Sequence, residues 1–300
     1  MPHVSAIYTL YFAMFVLAFN GLYAKIIPAD AITITQMRSV VASFAFVVFL
    51  TLQKKTLRLS HYREYMGVYG LGIILGLHWV ALFQAFQVST VAVGILSYYT
   101  YPVMTVFMEP FIAGGKVKIS DVFAAMMVVV GVITMVAKDL FYIGSDTPVV
   151  HMDSASYLYG AFWGILAAGL MTFRNIAQRE YFPKIPSTNL MFHQVVAISV
   201  LGLAFIDFQA VANFTIGTWG LFIILGVIST AGGHTLVVLS LKTLPAKTVA
   251  MISCAQPVVT VSLAWIVLGE RPELLVVFGG AIILSVAVYE SIRHSRQMAK

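Results

Sequence analysis

Apolar residues run along this chain in blocks from which charge is absent. Asp, Glu, Lys and Arg are missing from 1–24, 65–108, 154–173, 185–206, 208–241 and 248–269. About 20 apolar helical residues cover the roughly 30 Å of a bilayer core, so each block crosses at least once. The block 65–108 would reach about 66 Å as one helix, twice that thickness, and must be two helices hinged at Val88-Ser89-Thr90. Breaking the blocks at Gly, Pro and charge clusters predicts ten helices at about 4–27, 31–52, 66–87, 90–112, 119–138, 156–177, 188–208, 217–241, 246–268 and 272–292. The reading is an all-α polytopic membrane protein. A cleaved leader at 1–24 is not expected, because Met1-Pro2-His3-Val4-Ser5 has no Lys or Arg and the apolar run is too long. The longest polar stretch, 139–155, is too short to hold a core of its own.

Composition agrees, with 60% hydrophobic and 10% charged residues among 300, against about 25% charged in a soluble domain. This excludes soluble enzymes, nucleic-acid binders and disulfide-stapled secreted domains, and the single cysteine, Cys254, has no partner in its own chain. Lys and Arg set the orientation. With the N-terminus inside, Lys54, Lys55, Arg58, Arg63, Lys116, Lys118, Arg179, Lys184, Lys242, Lys247, Arg293, Arg296 and Lys300 fall on the cytoplasmic face, against Lys25, Lys138 and Arg271 outside. Under the positive-inside rule both termini are expected in the cytoplasm, in a multi-pass protein of the cytoplasmic (inner) membrane.

Shifting the chain against itself by 155 positions superposes Asn20 on Asn175, Pro28 on Pro183, Val40-Val41-Ala42 on Val195-Val196-Ala197, and Pro102 through Val106 on Pro257 through Val261. Polar and proline matches fall at the same places within corresponding helices. Two halves of five spans each must lie in opposite orientations, which gives inverted-topology repeats able to rock about a site near the midplane. The expected layout is 1–140 as the first five-helix repeat, 141–155 as an extracytoplasmic connector, and 156–300 as the second repeat with a short basic cytoplasmic tail.

The second half carries Leu241-Lys242-Thr243-Leu244-Pro245-Ala246, then Gln256-Pro257-Val258, then Leu268-Gly269-Glu270-Arg271 and the Gly-rich Phe278-Gly279-Gly280-Ala281. These motifs, with the 5+5 layout, resemble the C-terminal repeat of EamA-type transporters of the drug/metabolite transporter superfamily. The first half departs from the pattern, reading Gly114-Gly115-Lys116, with its acidic residue earlier at Glu109. The resemblance implies ten helices, a central cavity between the halves, and transport of a small organic metabolite, in many bacterial relatives by export.

Polar groups deep in a span are costly and therefore the best candidates for function. Arg38 lies about 10 Å below the outer boundary, where anion binding competes with outward snorkelling. Its repeat equivalent is His193, beside Gln194. Pro102 and Pro257 free the carbonyls of Tyr98 and Ser253, breaks that survive in lipid only where protein or a wet cavity covers them. Tyr98, Tyr99 and Tyr101 lie too deep for an interfacial aromatic belt and are expected to line that cavity. His78, Trp79, Trp163, His234 and Gln256 complete the candidate binding set. Asn20 and Asn175 belong to it as well, with helix-to-helix hydrogen bonding as their simpler role. The two histidines are either interhelical hydrogen-bond partners or proton carriers. Glu109 is a candidate coupling or gating group. Arg174 is expected to snorkel to the cytoplasmic face, and Glu270 to cap the helix that follows it.

No Asp-rich or His-Glu-x-x-His metal motif is present, no lysine lies deep enough to carry a Schiff base, and there is no nucleotide-binding domain. The expectation is a non-enzymatic secondary transporter, without cofactor or metal, whose partners are a small-molecule solute and membrane lipids and not nucleic acid. The alternative is a channel-like facilitator or a membrane sensor.

Overall fold

A computed structural model of the protein describes residues 3–114, 117, 119–142 and 154–298. Among them the chain is helical throughout, with no strand. The long rods are α1 (Ser5–Ile26), α2 (Ala31–Leu52), α3 (Tyr62–Val88), α4 (Val91–Ala113), α5 (Ile119–Tyr142), α6 (Ser154–Tyr181), α7 (Ser187–Gly202), α8 (Ile216–Leu241), α9 (Thr248–Leu268) and α10 (Leu274–Met298). Eight stretches, in all but α5 and α10, are long and apolar enough to cross a membrane. In α5 and α10 the described apolar stretches are shorter, Val122–Met135 and Leu274–Val286. The hinge expected at Val88-Ser89-Thr90 is where α3 ends and α4 begins. The stretch assigned as a connector, 141–155, falls almost wholly outside the described residues, as do Lys116, Lys118 and Lys300.

Helix starts follow local chemistry. Asp30 accepts the Thr33 N–H at 3.2 Å to open α2, Thr90 accepts that of Val93 to open α4, and Thr215 that of Thr218 to open α8. A capping box between His61 and Glu64 opens α3. The α9 rod stops at Gly269, whose φ of 70° is a left-handed cap that suits glycine.

The outer surface is apolar: Phe44, Ile216, Ile266 and Phe278 are among many large hydrophobic side chains left open. Such a surface needs lipid as its solvent. Inside, α3 packs on α4, α6 and α7, α2 on α7 and α8, and α1 on α8 and α9, so elements of the two halves interleave. The helices α5 and α10 pair with each other.

The connecting segments gather into two groups. In one, Asn189 donates to the Thr56 carbonyl at 2.9 Å, His193 Nε2 to that of Leu57 at 2.7 Å, and Lys242 to those of Pro183 and Ile185. In the other, Gln87 donates to the Ala29 carbonyl at 2.7 Å and Lys25 to that of Ser89 at 2.7 Å. The first group joins segments assigned above to the cytoplasmic face and the second joins segments assigned to the outer face.

Candidate functional site

Three rods are broken at one level. The α1 rod splits between Leu17 and Asn20, α4 between Tyr98 and Tyr101, and α9 passes through a tight turn at Ser253–Ala255 just before Pro257. A fourth, α8, widens into π-helical turns over Leu225–His234, with the Thr230 hydroxyl donating to the Leu225 carbonyl at 2.8 Å. Wide turns of this kind cluster at functional sites.

Each break exposes carbonyls that must find donors in a dry interior. Side chains beside one break supply donors to another. Tyr99 donates its hydroxyl to the Ser253 carbonyl freed by Pro257, and Gln256 Oε1 lies 3.0 Å from the Tyr99 hydroxyl oxygen. Tyr101 donates to the Ala250 carbonyl at 3.2 Å. Gln256 Nε2 donates to the Leu17 carbonyl at 3.2 Å and Thr260 to that of Ala18 at 3.1 Å, closing the α1 break from α9. Ser229 of α8 donates to Asn20 Oδ1 at 3.2 Å.

Between these breaks lies a hollow of about 20 Å³, lined by Asn20, His78, Trp79, Tyr98, Tyr101, Asn175, His234 and Gln256, together with Met14, Leu17, Leu82, Met171, Val237 and Ser253. That volume holds roughly one water molecule. In this conformation the hollow is too small to hold an organic solute. Trp79 Nε1 donates to His234 Nε2 at 3.2 Å, so the imidazole proton sits on His234 Nδ1, which has no hydrogen-bond partner. His78 Nδ1 donates to the Ala167 carbonyl at 2.9 Å, and its ring lies 5.4 Å from that of Tyr98.

Eight of the twelve candidate binding residues thus meet in one place, and Pro102 and Pro257 sit at the breaks beside it. Four lie elsewhere. Tyr99 seals the α9 break, Trp163 packs at the rim of the large apolar core, and His193 anchors the 56–57 segment. Arg38 sits behind Trp79, its Cζ 4.2 Å from the ring centre and 5.2 Å from that of Phe83, with Nε donating to Thr230 at 2.9 Å. Glu109 lies near one end of the bundle, 3.9 Å from Arg179.

Snorkelling is overturned for both deep arginines, since Arg38 and Arg174 are each 0% exposed. Instead of reaching outward, Arg174 donates to Gln194 Oε1 at 2.6 and 3.1 Å, to Asn175 Oδ1 at 3.1 Å and to Met191 sulfur. Gln194 in turn donates to Gln178 Oε1 at 2.9 Å. Depth was the signal that could have found Arg174: it lies seven residues before the end of α6, as Arg38 lies seven past the start of α2.

Gln178 lines a second cavity of about 320 Å³ at the ends of α6 and α8, with Arg179, Phe182, Leu190 and Lys242 among its walls. Burial pushes the Lys242 ammonium below the usual lysine pKa. The chain Gln178, Gln194, Arg174, Asn175 therefore joins this cavity to the hollow. At the opposite end the bundle is shut. Lys25 of α1 faces Glu270 at 3.7 Å, and Glu270 accepts the Val91 N–H at 2.8 Å. Glu270 therefore caps α4 of the other half rather than the helix that follows it.

Spans of this number and hydropathy, broken around an internal polar hollow, define a polytopic membrane protein of the transporter class. The chain belongs to the EamA-like transporter family, whose profile matches residues 4–137 and 158–289. It is 25% identical over 223 residues to the "Uncharacterized transporter YxxF" of Bacillus subtilis (strain 168), covering 74% of this chain and 68% of that protein. Its fold is similar to that of solved structures, among them a protein crystal structure matched with a TM-score of 0.67 and 14% identity over 97% of this chain and 99% of the other.

Proposed function

We propose that this transporter is a secondary carrier that moves a small organic metabolite, an amino acid or an aromatic or heterocyclic compound, out across the cytoplasmic membrane by alternating access. Ten spans in two inverted five-helix repeats, with both termini cytoplasmic, form the moving parts. The repeat reading is supported by one family profile fitting both halves and by the contact of Trp79 with His234, which are 155 positions apart. Residues related by the repeat offset can touch only near the axis relating the halves. The observation that carries the carrier reading is the small polar hollow itself. It lies between a cavity and a buried polar chain on one side and the Lys25–Glu270 closure on the other, the arrangement a midplane site gated alternately from two faces requires.

Trans-stimulated exchange tests it. Purified protein in lipid vesicles is preloaded with unlabelled L-phenylalanine, phenylacetate, phenylacetamide or 2-phenylethylamine and given the labelled form outside. Preloading is expected to speed labelled uptake for at least one of the four. Equal uptake with and without preload for every solute transported would replace the carrier with a channel-like facilitator.

A further inference from the structure

Two fully buried cations flank the hollow, and among the described residues the buried polar set contains no Asp or Glu to balance them. Arginine stays protonated in protein interiors, so both positions keep their charge. They differ in how well they are satisfied. The three guanidinium nitrogens of Arg174 all donate, two of them to Gln194. In Arg38 only Nε has an acceptor, and its two terminal nitrogens are buried without a hydrogen-bond partner. Stacking on Trp79 at 4.2 Å recovers only part of the lost hydration. Glu270 and Glu109 lie at the two ends of the bundle, Glu270 with Lys25 and Val91, and Glu109 beside Arg179.

A further unsatisfied group in the hollow is also a donor, the His234 Nδ1–H. Buried N–H groups without acceptors, one on His234 in the wall of the hollow and two on Arg38 stacked against the Trp79 ring that lines it, ask for a ligand that brings acceptors and negative charge on a flat apolar body.

Building on the carrier reading, we propose that the solute is an organic anion, an aromatic or heterocyclic carboxylate, whose carboxylate is engaged by the free terminal nitrogens of Arg38 while its ring lies among Trp79, Tyr98 and Tyr101. Planar bidentate pairing is what a guanidinium offers a carboxylate and a lysine does not. On helix α3, Trp79 lies between His78 of the hollow and the outward Phe83, so Arg38 stands on the outer side of the hollow and Arg174 on its cytoplasmic side. An anion crossing between the faces meets a buried cation on each.

The test uses isosteres that differ only in charge. Thermal unfolding of detergent-purified protein is followed with phenylacetate and indole-3-acetate, their neutral amides, and 2-phenylethylamine and tryptamine. The acids alone are expected to raise the unfolding temperature, and Arg38→Met to weaken that response by about tenfold or more in ligand concentration. Without ligand, Arg38→Met is expected to unfold at a higher temperature than the natural protein, because an uncompensated charge has been removed. Stabilisation by the amides or amines equal to that by the acids overturns the proposal. So does an Arg38→Met protein that is less stable without ligand yet responds fully to the acids. The isostere series on the unaltered protein decides the matter if the variant does not fold. Exchange of the amide or amine but not the acid would sink the anion assignment and leave the carrier standing, whereas acid binding without trans-stimulated exchange would do the reverse.

Discussion

Among single residues, Tyr99 shows how a helix break in lipid is made tolerable. Pro257 removes the donor that the Ser253 carbonyl would have had within α9, and the Tyr99 hydroxyl supplies one from α4. Tyr99→Phe keeps the ring and deletes the donor, leaving a buried carbonyl unsatisfied at a cost of about 1–3 kcal/mol. Thermal unfolding in detergent should show the loss, while exchange per folded molecule stays near the natural value, because Tyr99 does not line the hollow. An unchanged unfolding temperature would mean that the carbonyl finds another donor. The freed carbonyl was legible from Pro257 alone, but its partner was not, since 154 positions separate the two and only the folded bundle joins them. Arg174 was hidden for a different reason: hydropathy places a charge along a span but says nothing of whether Gln194 waits beside it.

For whole helices, the alternation of apolar runs with Pro, Gly and charge was enough to place eight long apolar helices and the hinge at 88–90, because the bilayer fixes helix length and caps fix helix starts. Helix pairing was harder to read, since lipid-facing and partner-facing apolar residues are alike in chemistry. The α5–α10 pair shows what decides it. A Cβ built on Gly279 would lie 2.4 Å from the Gly131 carbonyl oxygen, and one on Gly131 would lie 2.9 Å from that of Gly279. The two backbones touch, and only glycine at both positions allows that. Gly279→Leu must push the rods apart and is expected to destabilise by about 1–3 kcal/mol or more. Gly220→Leu in α8, where nothing lies within 4 Å, should not lower the unfolding temperature, because it meets no neighbour and replaces a poor helix former. Equal effects of the two changes would argue against a close crossing.

Across the whole molecule, the alternating-access proposal requires the Lys25–Glu270 closure to move. It joins the end of α1 to the segment between α9 and α10, and through Val91 and Ser89 it also holds the junction of α3 and α4. The charged atoms stand 3.7 Å apart, beyond hydrogen-bond distance, with both side chains still partly open to solvent, so the pair is a loose one that opens readily. A contact that weak suits a closure that must release in every cycle. A covalent bridge should therefore do what the ion pair cannot. With Lys25→Cys and Glu270→Cys joined by a short bifunctional methanethiosulfonate, exchange in vesicles is expected to stop and to return when reductant cleaves the link. Cys254 is buried and should not react. Binding measured in detergent should survive the bridge, because the cavity beside Gln178 opens at the other end. Undiminished exchange with the bridge in place would mean that the two halves do not separate on this side, and the solute would then need a route that leaves α1 and α9 together.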